Sequence, residues 1–466
     1  MQLLGPNPIA SPRAHARCCL VLVLVVAQQT WAGQEALTES PPPATPQDVT
    51  TPLEQTFERA PPPQPNAISE AVDKALEHLT PFVRDTKLTL KPRIYYLDTQ
   101  LPNGKTSEAV AGGGSLEYTS GWLANLFRVG ADGFTSQPIY APEDRDGTLL
   151  LGPGQEGYSV WGQAYGQFKI TDDNILTAGR SEYDTPYANR AFNRMTPNTF
   201  EGVSMKGSFA GLHEGSKVDY LVGYLSDIKP RNSDVFIPMS QALGTANTYY
   251  GTALAEVKYS VSSVTLGVAE YYTPQNLNIV YLEANWTPEF GSKYGLKFSI
   301  QYTDQQALGG AVSLSGTPVH ANGGVRASFG YEGSVFNLAY SDTTKDGNLI
   351  SVWGINPSYT NALVKNNNRA GEQGVLVSYS YNFAKLSLPG LSASMIYAYG
   401  WEAVNPGTGA ALPDQHELDL TLDYRVQSAA FKGLWLRAQR LIVQASGDPE
   451  PTSQWRVILY WEIPLI

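Results

Sequence analysis

From Lys87 almost to the C-terminus the chain alternates apolar and polar residues with a period of two, and this most narrows what it can fold into. In Lys87–Tyr96 one face carries Leu88, Leu90, Pro92, Ile94 and Tyr96; the other carries Lys87, Thr89, Lys91, Arg93 and Tyr95. The pattern returns in VDYLVGY (218–224), LKFSIQY (296–302), VRASFGY (325–331), ELDLTLDYR (417–425), LWLRAQ (434–439) and WRVILYW (455–461). Such alternation predicts antiparallel strands with one apolar face. It does not say whether that face meets a protein core or lipid. Two further features favour lipid. The apolar faces often end in Tyr or Trp, as membrane-interface girdles do. No linker interrupts residues 87–466, although a soluble chain of that length normally divides into domains. Composition, with 16% charged residues, 27 Tyr, 9 Trp and 43 Gly, suits a large antiparallel β protein of either kind, a membrane barrel or a secreted β-sandwich. The expectation is an all-β transmembrane antiparallel β-barrel over residues 86–466, with about 18 strands of roughly 9–11 residues and a short N-terminal helix.

The residues before the barrel read differently. Arg13 and Arg17 precede a ten-residue apolar run, Cys18–Ala27, and Thr30-Trp31-Ala32 supplies small residues for cleavage. Residues 1–32 are therefore expected to be an export signal, the run being too short for a membrane-spanning helix. Cys18 and Cys19 both lie inside it, so the exported chain would have no disulfide, thiolate metal site or Cys nucleophile. Losing two arginines and no acid moves the net charge from -11 to -13, the wrong sign for a nucleic-acid binder. Residues 33–66 are Pro-rich and polar, and predict an extended spacer. Over 67–85 a short helical segment is expected, because Ile68, Val72, Ala75, Leu76 and Leu79 share one helical face. It is expected to lie against the barrel mouth, or else to act as a plug or an oligomerisation segment.

The block GRSEYDTPYANRAFNRMTPNTFEG, Gly179–Gly202, is the most distinctive stretch of the sequence. With Gly179-Arg180, Asp184-Thr185-Pro186 and the run Arg194–Glu201, it resembles the OprD-type family of substrate-selective outer-membrane porins. Weaker matches are Lys87-Leu88 with Arg93–Tyr96, PSYTNALV (357–364), YNFAKLSLPGLSAS (381–394), and LDYR (422–425) before GLWLR (433–437). The resemblance covers nearly everything after residue 86, and departs at the end, Pro464-Leu465-Ile466, where such barrels commonly finish on an aromatic residue. It implies an 18-stranded pore in the bacterial outer membrane, narrowed by inward loops and lined by a ladder of basic side chains. The implied solutes are amino acids, small peptides and organic acids. The implied surroundings are outer-membrane lipids and lipopolysaccharide, and the oligomeric state is left as monomer or trimer.

Selectivity in a pore comes from charged side chains projecting into a narrow lumen. The polar register names Lys91, Arg93, Arg128, Lys206, Lys258, Lys297, Arg326, Arg437 and Arg456 as lumen residues, with Asp219, Glu256, Glu283, Asp419 and Asp423 as acidic partners. The loop 181–197, with Asp184, Tyr187, Arg190 and Arg194, is the expected constriction, and the resemblance adds Arg180. A second loop, 353–369, brings Tyr359, Lys365 and Arg369. No catalytic site, cofactor or metal site is expected: His78, His213, His320 and His416 have no recognisable Ser partner, and no acid cluster has ligand spacing. Gly112-Gly113-Gly114 reads as a turn or bulge rather than a phosphate cradle. Two other readings remain open from sequence alone: a secreted carbohydrate-binding β protein, and a plugged barrel acting as an adhesin.

Overall fold

The computed structural model describes residues 66–245, 248–290, 294–428 and 431–466. The expected export signal and all but the last residue of the Pro-rich spacer lie outside these. The remainder is a closed antiparallel β-barrel of 18 strands. Closure is direct: the first strand, Lys87–Gln100, pairs on one side with Thr106–Thr119 and on the other with the last strand, Thr452–Tyr460. Three two-residue strands, Ile237–Pro238, Glu289–Phe290 and Ile463–Pro464, are appended to its rims.

The alternation resolves inside out relative to a soluble protein. Along Tyr294–Ala307 the buried positions include Ser299, Gln301, Thr303 and Gln305, while Phe298, Ile300 and Tyr302 are exposed. Along Gln415–Arg425 the buried positions are Gln415, Glu417 and Asp419, and Leu420, Leu422 and Tyr424 face out. A polar interior beneath an apolar outer wall is stable only where lipid covers the wall, because an exposed apolar belt of this extent would aggregate in water. Aromatic pairs ring the outer wall near both ends, including Tyr294–Tyr331 at 5.0 Å and Tyr399–Trp401 at 5.6 Å between ring centroids.

The two ends differ. One carries both chain termini of the barrel and tight turns such as 172–173, 262–263 and 332–333; the other carries the long connections 141–157, 182–198, 230–251 and 344–372. Short turns with the termini mark the periplasmic end of such barrels. At that end the N-terminal segment forms two helices, Ala67–Leu76 and Pro81–Arg84, rather than the single helix expected. Pro81 cannot continue a helix begun before it but suits the first turn of a new one. Asn66 and Ser69 cap the first helix reciprocally, each accepting the other's backbone N–H at 3.0 Å. Asn66 also donates to the Pro464 carbonyl at 2.8 Å, and the Gly121 N–H donates to the Phe82 carbonyl at 2.9 Å. The segment is thus fastened to the barrel's mouth.

The Gly112-Gly113-Gly114 triplet is not a turn, and the strand's register shift lies just before it, between Val110 and Ala111. The triplet lies inside the strand Thr106–Thr119, opposite Pro92–Ile94. A Cβ on Gly113 would stand 2.1 Å from the Thr135 carbonyl oxygen, and one on Gly114 1.9 Å from that of Lys91. These glycines let strands approach closely and leave the lumen open beside Lys91 and Arg93.

Candidate functional site: a charged passage along one wall

Two long loops fold into the barrel and fill one side of it. In the loop 182–198, Tyr187 is fully buried. Its hydroxyl donates to Thr303 Oγ1 at 3.0 Å, its N–H donates to the Tyr271 hydroxyl at 3.1 Å, and its ring meets Tyr271 edge-on. Burial holds its phenol above the usual tyrosine range, so it remains a neutral donor. The loop 344–372 packs Tyr359 and Ala362 on the wall formed by Ala339, Leu376, Ile396 and Ala398. Its tip is gripped by two buried carboxylates: Asp419 accepts from the Leu363 N–H at 3.1 Å, and Glu417 accepts from Val364 and Lys365, both at 2.7 Å. Asn189 joins the loops, its side chain accepting from the Ile355 N–H at 3.0 Å and donating to the Ile355 carbonyl at 2.8 Å.

What remains is a cavity of about 690 Å³ against the opposite wall. Seven basic side chains line it (Lys91, Arg93, Arg128, Arg190, Lys206, Arg437 and Arg456) with five acidic ones (Glu117, Asp132, Glu182, Asp184 and Glu462). Register sets four of the cations in order. Leu97 lies beside Arg456, which lies beside Gln439; Tyr95, Ile458 and Arg437 form the next row; Arg93, Tyr460 and Trp435 the next; Lys91 follows on the first strand. Each row is two residues further along, so Arg456, Arg437, Arg93 and Lys91 make a staircase about 20 Å long at roughly 3.3 Å per residue.

The rungs are not equivalent. Arg437 is held bidentately by Asp423 at 2.7 and 3.0 Å and lies 4.4 Å over the Trp435 ring. Lys91 pairs with Glu117 at 2.7 Å and Glu462 at 3.4 Å. Arg456 donates to Gln454 at 2.6 Å and to the Leu363 carbonyl at 3.4 Å. Arg128 donates to Gln167 at 2.7 Å. Across the cavity, Arg190 pairs with Asp184 at 3.1 Å.

Several expected pore residues lie elsewhere. Thr177 and Ser181 line the cavity, so Arg180, of opposite parity to both on that strand, lies on the outer face. There it pairs with Glu201 at 2.8 Å and stacks on Phe236. Tyr187 is an anchor. Arg194 is another: its Nε donates to the Thr148 carbonyl at 2.9 Å and its Nη1 to the Asn193 carbonyl at 2.8 Å. Burial, then Arg456 and other nearby charges, push its guanidinium down to about 9, which leaves it protonated at neutral pH. Lys258, Lys297 and Arg326 keep lumen parity, on the same faces as buried Glu256, Ser299 and Ser328, but do not line this cavity; Lys258 pairs with Glu256 at 2.8 Å, and Arg326 lies 4.4 Å from the Tyr359 ring centroid. Sequence reading missed Phe192, whose ring enters the cavity beside Arg93, and Glu117, Asp132, Glu182 and Glu462. Of these, Glu117 and Asp132 sit in strands whose parity would have named them. Among the described residues no group of three or more His, Cys, Asp or Glu is placed to hold a metal ion.

Comparison with known proteins gives a consistent picture. The family profile described as outer membrane porin, OprD family, matches residues 80–465. No curated protein matches the sequence. Among solved structures, Pseudomonas aeruginosa OccK9 (OpdG) superposes with a TM-score of 0.73 at 21% identity, over 83% of this chain and 100% of that one. P. aeruginosa OpdK, crystallised with vanillate, gives 0.70 at 19% identity, over 82% and 100%. P. aeruginosa OccK2 (OpdF), in complex with glucuronate, gives 0.68 at 18% identity, over 83% and 100%.

Proposed function

Because the chain belongs to the OprD family of outer-membrane porins, we propose that it admits small carboxylate-bearing solutes through the passage beside the Arg456–Lys91 staircase. Membership makes it a channel of the Gram-negative outer membrane and not an enzyme; the solute class is the further step. The observation that carries it is the staircase of four cations at successive rows along one wall, faced by an acid-bearing loop. A carboxylate passes from one guanidinium to the next and never has to be fully rehydrated. Arginine's planar fork suits carboxylate, and low-dielectric walls strengthen its field. The partly neutralised rungs keep any one site from becoming a trap. Glu117, Asp132 and Glu182 offer a separate contact for an ammonium group, so amino acids and small peptides fit as well as organic acids. The ligands of the OccK2 and OpdK structures, glucuronate and vanillate, are carboxylates too. Outer-membrane lipids and lipopolysaccharide are proposed to cover the outer wall, around a monomer or a trimer.

The test is single-channel recording of the full exported chain in planar bilayers. Discrete openings, with a reversal potential favouring anions and current reduced by added glucuronate, are expected. A folded barrel that passes potassium in preference to chloride and ignores carboxylates would refute the reading.

A further inference from the structure

Among the staircase rungs Arg93 stands apart. It is only 6% exposed, and its Nε and Nη1 are covered without any hydrogen-bond acceptor. Arg437 and Lys91 have carboxylates, and Arg456 has an amide and a carbonyl. Arg93 has aromatic rings instead: its guanidinium carbon lies 4.4 Å from the ring centroid of Phe192, 5.4 Å from that of Tyr95 and 5.8 Å from that of Tyr460. Tyr95 and Tyr460 belong to the barrel wall, but Phe192 comes from the loop 182–198 and is only partly buried. An aromatic strip continues from it: Phe192 meets Tyr460 edge-on at 6.3 Å, and Tyr460 meets Trp435 edge-on at 6.3 Å, where Arg437 stacks in turn.

We infer that Phe192 is a specificity-determining residue of the passage: its ring caps Arg93, and it favours planar aromatic carboxylates over saturated ones of the same size and charge. The inference rests on the carboxylate route proposed above. A guanidinium with covered, unspent donors is an anion site awaiting uncovering. A small or saturated anion that displaces the ring gains the donors but forfeits the cation–π contact. A flat aromatic acid bonds Arg93 through its carboxylate while its own ring stacks against the displaced Phe192, so a ring–ring contact offsets the cation–π contact given up. Phe192 thus acts on the solute through a choice of ring against ring, and Arg93 supplies the charge.

The experiment compares benzoate with cyclohexanecarboxylate, which match in charge and carbon count and differ in planarity. Permeability ratios are taken from bi-ionic reversal potentials of the full exported chain. Wild type is expected to prefer benzoate by roughly two- to twelve-fold, the range a ring–ring contact supports. Phe192→Leu, which keeps apolar bulk without a ring, brings the ratio close to one, and Phe192→Tyr retains it. A preference that survives Phe192→Leu in an open, normally conducting channel overturns the assignment to Phe192 while leaving the carboxylate route intact. A wild-type channel that conducts salt but neither acid overturns the route and the assignment together. Should Phe192→Leu fail to insert, Arg93→Gln serves as the second variant: loss of benzoate preference supports the pairing, and an unchanged ratio overturns it.

Discussion

At the scale of single residues, what matters for an arginine in this lumen is which group already holds it. Arg437 is neutralised by Asp423 through two hydrogen bonds. Arg437→Gln would leave a largely buried carboxylate without its cation, so two changes are expected together: a reversal potential shifted toward cations, and a loss of about 1–3 kcal/mol in barrel stability. Bilayer recording and urea-dependent unfolding from vesicles check the two parts. Arg180→Ala should do neither, staying within about 0.5 kcal/mol of wild type, because Arg180 pairs with Glu201 on the outer face. Altered selectivity in Arg180→Ala would contradict that placement. These cases show where sequence reading stops. All nine expected lumen cations sit in regular strands, where parity names the face; Lys91, Arg93, Arg128, Lys206, Arg437 and Arg456 line the cavity, and Lys258, Lys297 and Arg326 do not. Tyr187 and Arg194 sit in a loop, where no period exists and a charged or aromatic side chain gives no hint whether it will face solute or anchor the fold. Arg180 was placed by resemblance, because its strand ends one residue later at Ser181.

At the scale of elements, the passage exists because two loops are pinned inside the barrel, and the pins are specific. Asn189 spends its side chain on both backbone groups of Ile355, so one residue couples the loop 182–198 to the loop 344–372. Asn189→Ala leaves those groups without their partner, at a cost of about 1–3 kcal/mol if they stay buried. Noisier single-channel openings and new tryptic cleavage at Arg190 or Arg194 are expected in reconstituted vesicles. An unchanged digest and quiet openings would show that Tyr187 and Arg194 hold the loop without it. This coupling could not be read from sequence, since the two residues are far apart in the chain and neither belongs to a periodic pattern. The strands were readable because a half-buried strand repeats its environment every second residue; a loop pin is a single event. The N-terminal helix shows the intermediate case: its apolar spacing was visible, but so was Pro81, whose power to end one helix and begin another the spacing concealed.

At the scale of the whole molecule, the fold depends on which solvent meets which face, and adjacent residues on one strand can test this. Leu420 lies midway along Gln415–Arg425 and is 44% exposed on the outer wall, whereas Thr421 is on the lumen side, where its hydroxyl accepts a hydrogen bond from Gln439, a cavity-lining residue. Leu420→Arg places a guanidinium in hydrocarbon and is expected to cost about 2–4 kcal/mol near the bilayer midplane. Thr421→Arg places the same group beside water and the acids of the passage, so its stability cost should be below about 1 kcal/mol, with a narrower conductance. A soluble β-sandwich would give the same order of cost, with Leu420 in its core and Thr421 in solvent, but it would have no current for Thr421→Arg to change. Folding free energies in lipid vesicles therefore test which way each residue faces, and the conductance of the Thr421→Arg channel separates the architectures. The same measurement bears on the staircase: if Thr421→Arg lowers conductance and strengthens anion preference, the added charge stands in the current path, on the wall where Arg437 and Arg456 stand.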